Sequence, residues 1–214
     1  MRYRLVKSKD IKDIVNLHYS VRENYPFGIF SSLDKNFLKS YYKVLLKDKN
    51  SVIVCAYDSL GVVHGFCSAN LNVEEQFLNL KRNKYRFGLS AFTSILKKPS
   101  VLLDLFSRYN SIKNEGSQFI SKEGARLEYW VWSKKNKEPT PSIIMHEVLL
   151  NILRDLRVVE LNFEVDSINN KIVKFHKLNG AIEIKRIVLE DKRERVLMKY
   201  DFSNRKSKIK LYKL

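Results

Sequence analysis

The amino-acid sequence predicts an α/β (α+β) fold in one domain. Short segments with alternating or continuous apolar residues are typical of strands, and the segments between them repeat apolar residues at helical spacing. The predicted order is a strand, two helices, two strands and a helical stretch, followed by strand, helix, strand, helix and two strands. The 214 residues, 44% hydrophobic and 29% charged, are enough to bury one core.

The N-terminal segment is predicted to be scaffold. Arg2–Lys7 alternates as a short strand, and Ser8 and Asp10 supply helix-start chemistry for an amphipathic helix. His18 lies on the apolar stripe of that helix and is interpreted as a core histidine rather than a ligand. The aromatic loop 25–30 contains Pro and Gly and is expected either to cap the core or to line a pocket.

A second helix begins near Leu33, and two strands follow it. The segment 51–57 is nearly continuously apolar, which predicts a strand buried on both faces, and 62–71 is its returning partner. Gly65 within the second strand predicts a bulge or a close approach of another group. Cys55 and Cys67 are interpreted as small buried hydrophobes of a reducing compartment, without a disulfide framework.

A helical insertion is predicted over about 74–114, between the third and fourth strands. From Leu78 to Lys98 it carries six basic residues and no acidic one. Two interpretations stay open, a lid with a solvated basic face or a surface that contacts an anionic carrier protein or membrane.

The stretch 125–180 reads as one strand–helix–strand–helix unit. Regular alternation in its first strand, Arg126–Ser133, predicts two faces: Leu127, Tyr129 and Val131 on one, and Glu128, Trp130 and Trp132 on the other. A carboxylate between two tryptophans either pairs with a cation or lies in a cleft. In a cleft, burial would raise its pKa and make it a usable base.

The loop after this strand carries Lys134, Lys135 and Lys137 and ends in helix-start signals. Thr140 is predicted as the N-cap and Pro141 as the first helical residue. Free N–H groups at a helix start suit phosphate. The helix that follows the next strand, 158–165, is predicted to bury an apolar face made of Ile168, Ile172, Phe175 and Leu178.

Two closing strands, 181–189 and 193–202, complete the predicted domain of residues 1–202. A basic tail, 203–214, follows them and is expected to be flexible or bound to the surface. No glycine-rich nucleotide fingerprint, no metal-ligand spacing and no nucleophile-elbow motif is present, so no metal site is expected.

The segment 166–181 resembles the second conserved helix of the GCN5-related N-acetyltransferases. Asn169, Ile172, Phe175, His176 and Gly180 follow the spacing of that family's Asn-x-x-Ala-x-x-Phe-Tyr-x-Lys-x-Gly-Phe pattern. The order of elements matches along 2–202, apart from the insertion. The resemblance implies a mixed, mostly antiparallel central sheet flanked by helices.

The same resemblance implies an acyl-CoA site. The strand containing Val131 and Trp132 would pair with the pantetheine arm, and Asn169 would contact the donor. Lys137, Thr140 and Ser142 would take the positions of the family's Arg/Gln and two glycines in the pyrophosphate loop, where Pro141 removes one N–H group.

Two residues are implied as catalytic. Glu128 would take a proton from the acceptor amine, directly or through water. His176 stands where the family often has a tyrosine near the thiol leaving group, and a histidine can perform the same proton transfer.

The resulting hypothesis is an N-acyltransferase that moves an acyl group, most simply acetyl from acetyl-CoA, to the primary amine of an unidentified small-molecule acceptor. A nucleotide-linked amino sugar is one candidate, and a protein or peptide amine is another. One alternative is transfer from an acyl carrier protein or a long-chain acyl donor, for which the acidic carrier would dock on the basic insertion. The other alternative is a non-catalytic binding module.

Charge and targeting signals limit the binding partners and the cellular location that are expected. The net charge of +17 favours an anionic partner, but no interleaved aromatic-basic motif supports nucleic acid. The N-terminus lacks an apolar core of signal-peptide length, and no segment approaches the roughly 18 apolar residues of a membrane span. A cytoplasmic location is therefore expected.

Overall fold

The computed structural model describes residues 1–22, 29–97, 99, 123–189 and 192–205. Seven strands form one sheet, with the bounds β1 Arg2–Leu5, β2 Ser51–Tyr57, β3 Val63–Asn70, β4 Ala125–Trp132, β5 Glu160–Asp166, β6 Ala181–Val188 and β7 Glu194–Asp201. The α-helices of the described residues are α1 Ile11–Val21, α2 Lys35–Leu45, α3 Val73–Arg82, α4 Lys84–Lys97, α5 Thr140–Asp155 and α6 Asn170–Leu178.

The strand order in the sheet is β1-β2-β3-β4-β5-β7-β6. Neighbouring strands are antiparallel except for β4 and β5, which are parallel. The predicted mixed, mostly antiparallel sheet is therefore confirmed. The β4–β5 pair lies at its centre, where the chain crosses over through α5.

Helices cover both faces of the sheet, so the chain has two hydrophobic clusters. Residues of α1, α2 and α4 pack with Phe66 and Val131 on one face. The core of α5, with Met145 and Leu149 at 0% exposure, packs on the other face against β2 and β3. The strand β2 contributes to both clusters, as its continuous apolar sequence predicted.

The inserted segment begins with α3 and α4. Asn72 caps α3 by accepting a hydrogen bond from the Glu75 N–H group, and Glu74 and Glu75 in the first turn complement the helix dipole. Residues 100–114 of the predicted insertion lie outside the described residues, as does the tail after 205.

The predicted buried face of α6 was right for Phe175, which is half-buried with its ring centroid 5.1 Å from that of Trp130, and wrong for its two ends. Ile168 before the helix is 81% exposed and Leu178 is 67% exposed, whereas Val173 and His176 are buried. The helix begins at Asn170 with Asn169 as N-cap, so Ile168 precedes the helix and is not part of its buried face.

Candidate active site

The centre of the candidate site is an irregularity in β4. Cys67 pairs with Trp130 and Ala69 with Leu127, so β4 has one more residue than β3 between these two pairs. This is a β-bulge at Glu128 and Tyr129. Tyr129 donates its backbone N–H to Ser68 Oγ at 3.3 Å.

The bulge changes which side chains share a face. Leu127, Trp130 and Trp132 pack with the α5 cluster, whereas Tyr129 packs with the α1–α2 cluster. Glu128 is held from α3 on the Tyr129 side. The predicted placement of Glu128 between the two tryptophans was therefore wrong, because a bulge adds one residue and breaks the strict alternation of faces.

Glu128 is a partly buried carboxylate with two side-chain donors. Gln76 Nε2 donates to its Oε1 at 2.5 Å, and Ser68 Oγ to its Oε2 at 3.4 Å. Burial raises the pKa of Glu128, while these hydrogen bonds and the charge of Arg126 oppose that rise. A carboxylate with a raised pKa can accept a proton near neutral pH.

An aromatic wall stands beside Glu128 on the same face. The Tyr129 ring lies 5.3 Å from His18, 5.7 Å from Phe30 and 6.3 Å from Tyr41 between centroids. Burial first, and then the nearby Glu128 charge, raise the pKa of Tyr129, so its phenol stays protonated at neutral pH.

His18 is part of this wall and is a core residue, as predicted. Its Nδ1 is hydrogen-bonded to Tyr42 Oη at 2.7 Å, and burial lowers its pKa to about 4. The ring is therefore neutral at physiological pH. Of the predicted aromatic loop 25–30, residues 25–28 lie outside the described residues, and Phe30 is buried.

The other part of the site is the start of α5. Pro139 is the N-cap and Thr140 the first helical residue, so the predicted start was one residue too late. Pro139 has no side-chain donor or acceptor with which to cap the helix, and no side-chain cap bond forms. Thr140 and Lys137 are exposed at this end.

Two tryptophans secure the loop that leads into α5. Trp132 Nε1 donates to the Asn136 carbonyl at 3.0 Å, and Trp130 Nε1 donates to Ser142 Oγ at 2.9 Å. Ser142 is buried. Its hydroxyl therefore helps to fix the helix start against β4, and a part for Ser142 in donor binding stays a prediction.

The strands β4 and β5 part soon after they meet. Only Ala125 with Leu161 and Arg126 with Asn162 pair between them. Within the described residues, Leu127–Trp132 has β3 on one side and no paired strand on the other. Such a strand edge can hydrogen-bond an extended, amide-bearing ligand.

Two predicted donor contacts have different settings. Val131 is 3% exposed and belongs to the core, so its side chain is not available to a donor, and a backbone contact stays a prediction. Asn169 is exposed at the start of α6, where its carbonyl accepts from the Ile172 and Val173 N–H groups and its side chain forms no cap bond.

His176 lies in the core on the α5 side of the sheet. It is 2% exposed, its Nδ1 is hydrogen-bonded to Tyr200 Oη at 2.7 Å, and its ring lies 4.5 Å from that of Phe163. Burial lowers its pKa to about 4. This setting does not favour proton transfer, and a catalytic part for His176 stays a prediction.

The sequence interpretation missed four polar residues around the site: Gln76, Ser68, Tyr41 and His146. His146 is 1% exposed and stacks on Trp130 at 4.5 Å, and its Nε2 has no hydrogen-bond partner. Gln76 and Glu128 are 52 residues apart, and no local pattern indicates such a contact. The only available signal was a polar residue one turn after the buried Val73 of α3.

No protein-family model matches the sequence, and no curated protein matches it. Solved structures do match, and the chain has the fold of the GCN5-related N-acetyltransferases. It is similar to the ribosomal-protein-alanine N-acetyltransferase of Brucella melitensis, with 11% identity, 94% of this chain and 100% of that chain covered, and a TM-score of 0.60.

Two other acetyltransferase structures are similar over most of their length. For a variant of the spermidine N-acetyltransferase of Vibrio cholerae, the identity is 10%, 94% of this chain and 95% of that chain are covered, and the TM-score is 0.57. For an aminoglycoside 6'-acetyltransferase the identity is 8%, the coverage 94% and 97%, and the TM-score 0.58.

Two features are not found in the described part of the chain. No helix there is long and apolar enough to cross a membrane. No group of three or more His, Cys, Asp or Glu residues lies close enough together there to hold a metal ion.

Proposed function

We propose that the protein is an N-acyltransferase that moves an acyl group, most simply acetyl, from acyl-CoA to a primary amine. One observation carries the proposal: the bulged strand β4 presents Glu128 on one face while its edge beside β5 is unpaired. A base and a surface for an extended donor therefore occur on the same six residues. The shared fold supports this proposal.

The residues at the start of α5 fit an acyl-CoA donor. Lys134, Lys135, Lys137 and Thr140 are exposed there, and the helix start directs its free N–H groups and positive dipole end outward. Thr140 and Ser142 stand where the resembled family has glycines, and the charge of the lysines would compensate for that difference. The strand edge Leu127–Trp132 would hold the pantetheine amides, and the donor would supply an activated thioester.

Glu128 is proposed as the general base. Its carboxylate would accept a proton from the acceptor amine as the new N–C bond forms and the C–S bond of the thioester breaks. Gln76 and Ser68 orient the carboxylate, and the neutral phenol of Tyr129 excludes water beside it. A positioned base of this kind contributes about 10²–10⁴-fold to the rate.

The acceptor is proposed to approach from the α1–α2 face, beside the aromatic wall of Tyr129, Tyr41 and Phe30. A nucleotide-linked amino sugar is one candidate and a peptide amine another. The similar structures include enzymes named for spermidine and for aminoglycosides, which supports a small amine. Transfer in the cytoplasm is part of the proposal.

The alternative donor is an acidic acyl carrier protein. It is favoured by Lys81, Arg82 and Lys84, which are exposed at the junction of α3 and α4. A negatively charged carrier would be attracted to this end of the insertion.

The test is release of free thiol from acetyl-CoA, longer acyl-CoAs and an acyl carrier protein in the presence of a panel of amines. Glu128→Gln should lower the amine-dependent rate by about 10²-fold or more. Glu74→Gln, which removes an exposed carboxylate from the same region, should leave it unchanged. Amine-independent thiol release, or an equal rate for Glu128→Gln, would contradict the assignment. Activity with the carrier alone would select the alternative donor.

A further inference from the structure

A cleft of about 330 Å³ lies outside the candidate active site. It lies between the segment Ser8–Ile11, the C-terminal end of α2 and the first turn of α4. Its lining residues are Ser8, Ile11, Lys43, Leu46, Lys47 and Arg86. None of them belongs to the candidate active site. The volume is at the small end of the range of natural small-molecule sites.

Three cations line this cleft and no carboxylate does. Within the described chain, Lys43, Lys47 and Arg86 form no hydrogen bond or ion pair with their side chains. Asp10, the acid closest in sequence to Ser8, has both carboxylate oxygens bound to Arg4 at 2.6 and 2.8 Å. The positive charge of the cleft is therefore not neutralised from its own walls.

Arg86 stands out among the arginines of the described chain. It is partly buried, as are Arg4, Arg126 and Arg195, but each of those three is paired with a carboxylate. The partly buried Arg22 and Arg154 also have partners, since they donate to the oxygens of Tyr19 and Asn151. Partial burial of a guanidinium is costly unless an anion accepts its hydrogen bonds. The five donors of Arg86 are therefore available to a ligand.

The surroundings strengthen the positive potential at the cleft. Lys35, Lys39, Lys43 and Lys47 recur every four residues on the exposed side of α2 and the turn after it. Neither α2 nor α4 contains an Asp or a Glu. A concave surface lined by one sign of charge concentrates oppositely charged ligands.

We infer that this cleft binds a small organic phosphate. The guanidinium fork of Arg86 matches phosphate oxygens bidentately, the two lysines add point charges, and Ser8 offers a hydroxyl. Ile11 and Leu46 supply apolar contact for the organic part of the ligand. The site does not depend on the proposed acyl transfer, because none of its residues belongs to the proposed donor site or is the proposed base. The matched control removes the charge of the proposed donor site, so binding in the two places can be told apart.

The experiment is isothermal titration of the full chain with inorganic pyrophosphate as the probe, backed by flotation with vesicles containing phosphatidic acid. The test variant is Lys43→Gln/Lys47→Gln/Arg86→Gln. The matched control is Lys134→Gln/Lys135→Gln/Lys137→Gln, which removes the same three charges at the start of α5. Arg86→Lys is a milder variant that keeps the charge and loses the fork.

We expect the test variant to lose affinity for pyrophosphate by at least about tenfold, which is about 1.4 kcal/mol, and Arg86→Lys to show an intermediate loss. The control should still bind pyrophosphate in the cleft, and the test variant should not. Vesicle binding that the test variant loses, without binding of soluble pyrophosphate, would identify a lipid phosphate as the source. No binding of either probe, loss in the control alone, or equal loss in both triple variants would overturn the inference.

Discussion

Glu128 acquires its environment from one extra residue in β4. Without the bulge, its side chain would lie on the α5 face with Trp130 and Trp132. With the bulge, it reaches Gln76 and Ser68. The sequence left two interpretations open, a carboxylate paired with a cation or a carboxylate in a cleft whose pKa is raised by burial. Burial does raise the pKa of Glu128 in the structure. The partners of this carboxylate could not be predicted, because they are more than fifty residues away in the chain.

The pH dependence of the rate should report the Gln76 contact. The hydrogen bond from Gln76 lowers the pKa of Glu128, so Gln76→Met should raise that pKa further. A base acts only when deprotonated, so the acid limb of the kcat/KM profile should move to higher pH. Leu78→Met, on the exposed side of α3, is the control. Identical profiles for Gln76→Met and the unmodified protein would remove Gln76 as a positioning residue.

The buried histidine His176 should make the fold sensitive to acid. Burial lowers its pKa from 6.5 to about 4, so its neutral form is favoured in the folded state. The neutral histidine contributes about 3 kcal/mol to the free energy of unfolding. This contribution is fully present above pH 6.5 and is lost as the pH falls through 4.

Urea unfolding between pH 7 and pH 4 tests this sensitivity. The stability of His176→Phe should fall less over this range than that of the unmodified protein, by about 3 kcal/mol. Both proteins contain the same carboxylates, so the effect of these groups cancels when the two dependences of unfolding free energy on pH are compared. Parallel slopes would show that His176 titrates alike in the folded and unfolded chain.

At the scale of elements, β3 and β4 are fitted to one another at Gly65. The Trp132 ring covers this glycine so closely that an added Cβ would lie 2.2 Å from Trp132 Cε3. The sequence predicted a bulge or a close approach there. The close approach is that of the Trp132 ring, and a register irregularity also occurs, since the pairing of β2 and β3 shifts between Ala56 and Tyr57.

Gly65→Ala should therefore displace Trp132 and loosen the loop that its Nε1 secures through Asn136. We expect a loss of about 1–3 kcal/mol in unfolding free energy, together with weaker binding of CoA. Gly88→Ala in α4 is the control. A Cβ there meets nothing within 4 Å, and alanine favours a helix by about 1 kcal/mol. Equal effects of the two changes would contradict this account of Gly65.

Element type was easier to predict than element facing. Strong apolar periodicity located the strands and helices, because burial of one face dominates local structure. The prediction of which side chains face the core was wrong at β4, where the bulge shifts the alternation, and at α6, where Ile168 and Leu178 are exposed. A stripe of apolar residues indicates which face of a helix could be buried. Contacts with neighbouring elements determine which face is buried.

At the scale of the whole molecule, one buried ion pair ties α5 to the chain after β7. Arg205 donates to Glu147 Oε2 at 2.5 Å, and both side chains are less than 10% exposed. Its guanidinium also donates to the Asn179 carbonyl at 3.0 Å, at the end of α6. The sequence assigned Arg205 to a basic tail and gave no sign that it is buried.

Arg205→Met should leave the Glu147 carboxylate buried without its cation and lower the unfolding free energy by about 3–5 kcal/mol. The double variant Glu147→Met/Arg205→Met should recover much of that loss, since neither charge then stays buried alone. The exposed Lys199–Glu160 pair is the comparison, and Lys199→Met should cost 1 kcal/mol or less. Similar costs for Arg205→Met and Lys199→Met would contradict a stabilising role for the buried pair.

Binding of coenzyme A, measured by isothermal titration, tests most directly the central claim that β4 and the start of α5 form an acyl-donor site. We predict one molecule bound per chain. Lys134→Gln/Lys135→Gln/Lys137→Gln should weaken this binding about tenfold or more, and Glu128→Gln should leave it unchanged, because that residue serves the acceptor. Absence of any binding of CoA or acetyl-CoA to the folded protein would contradict the claim.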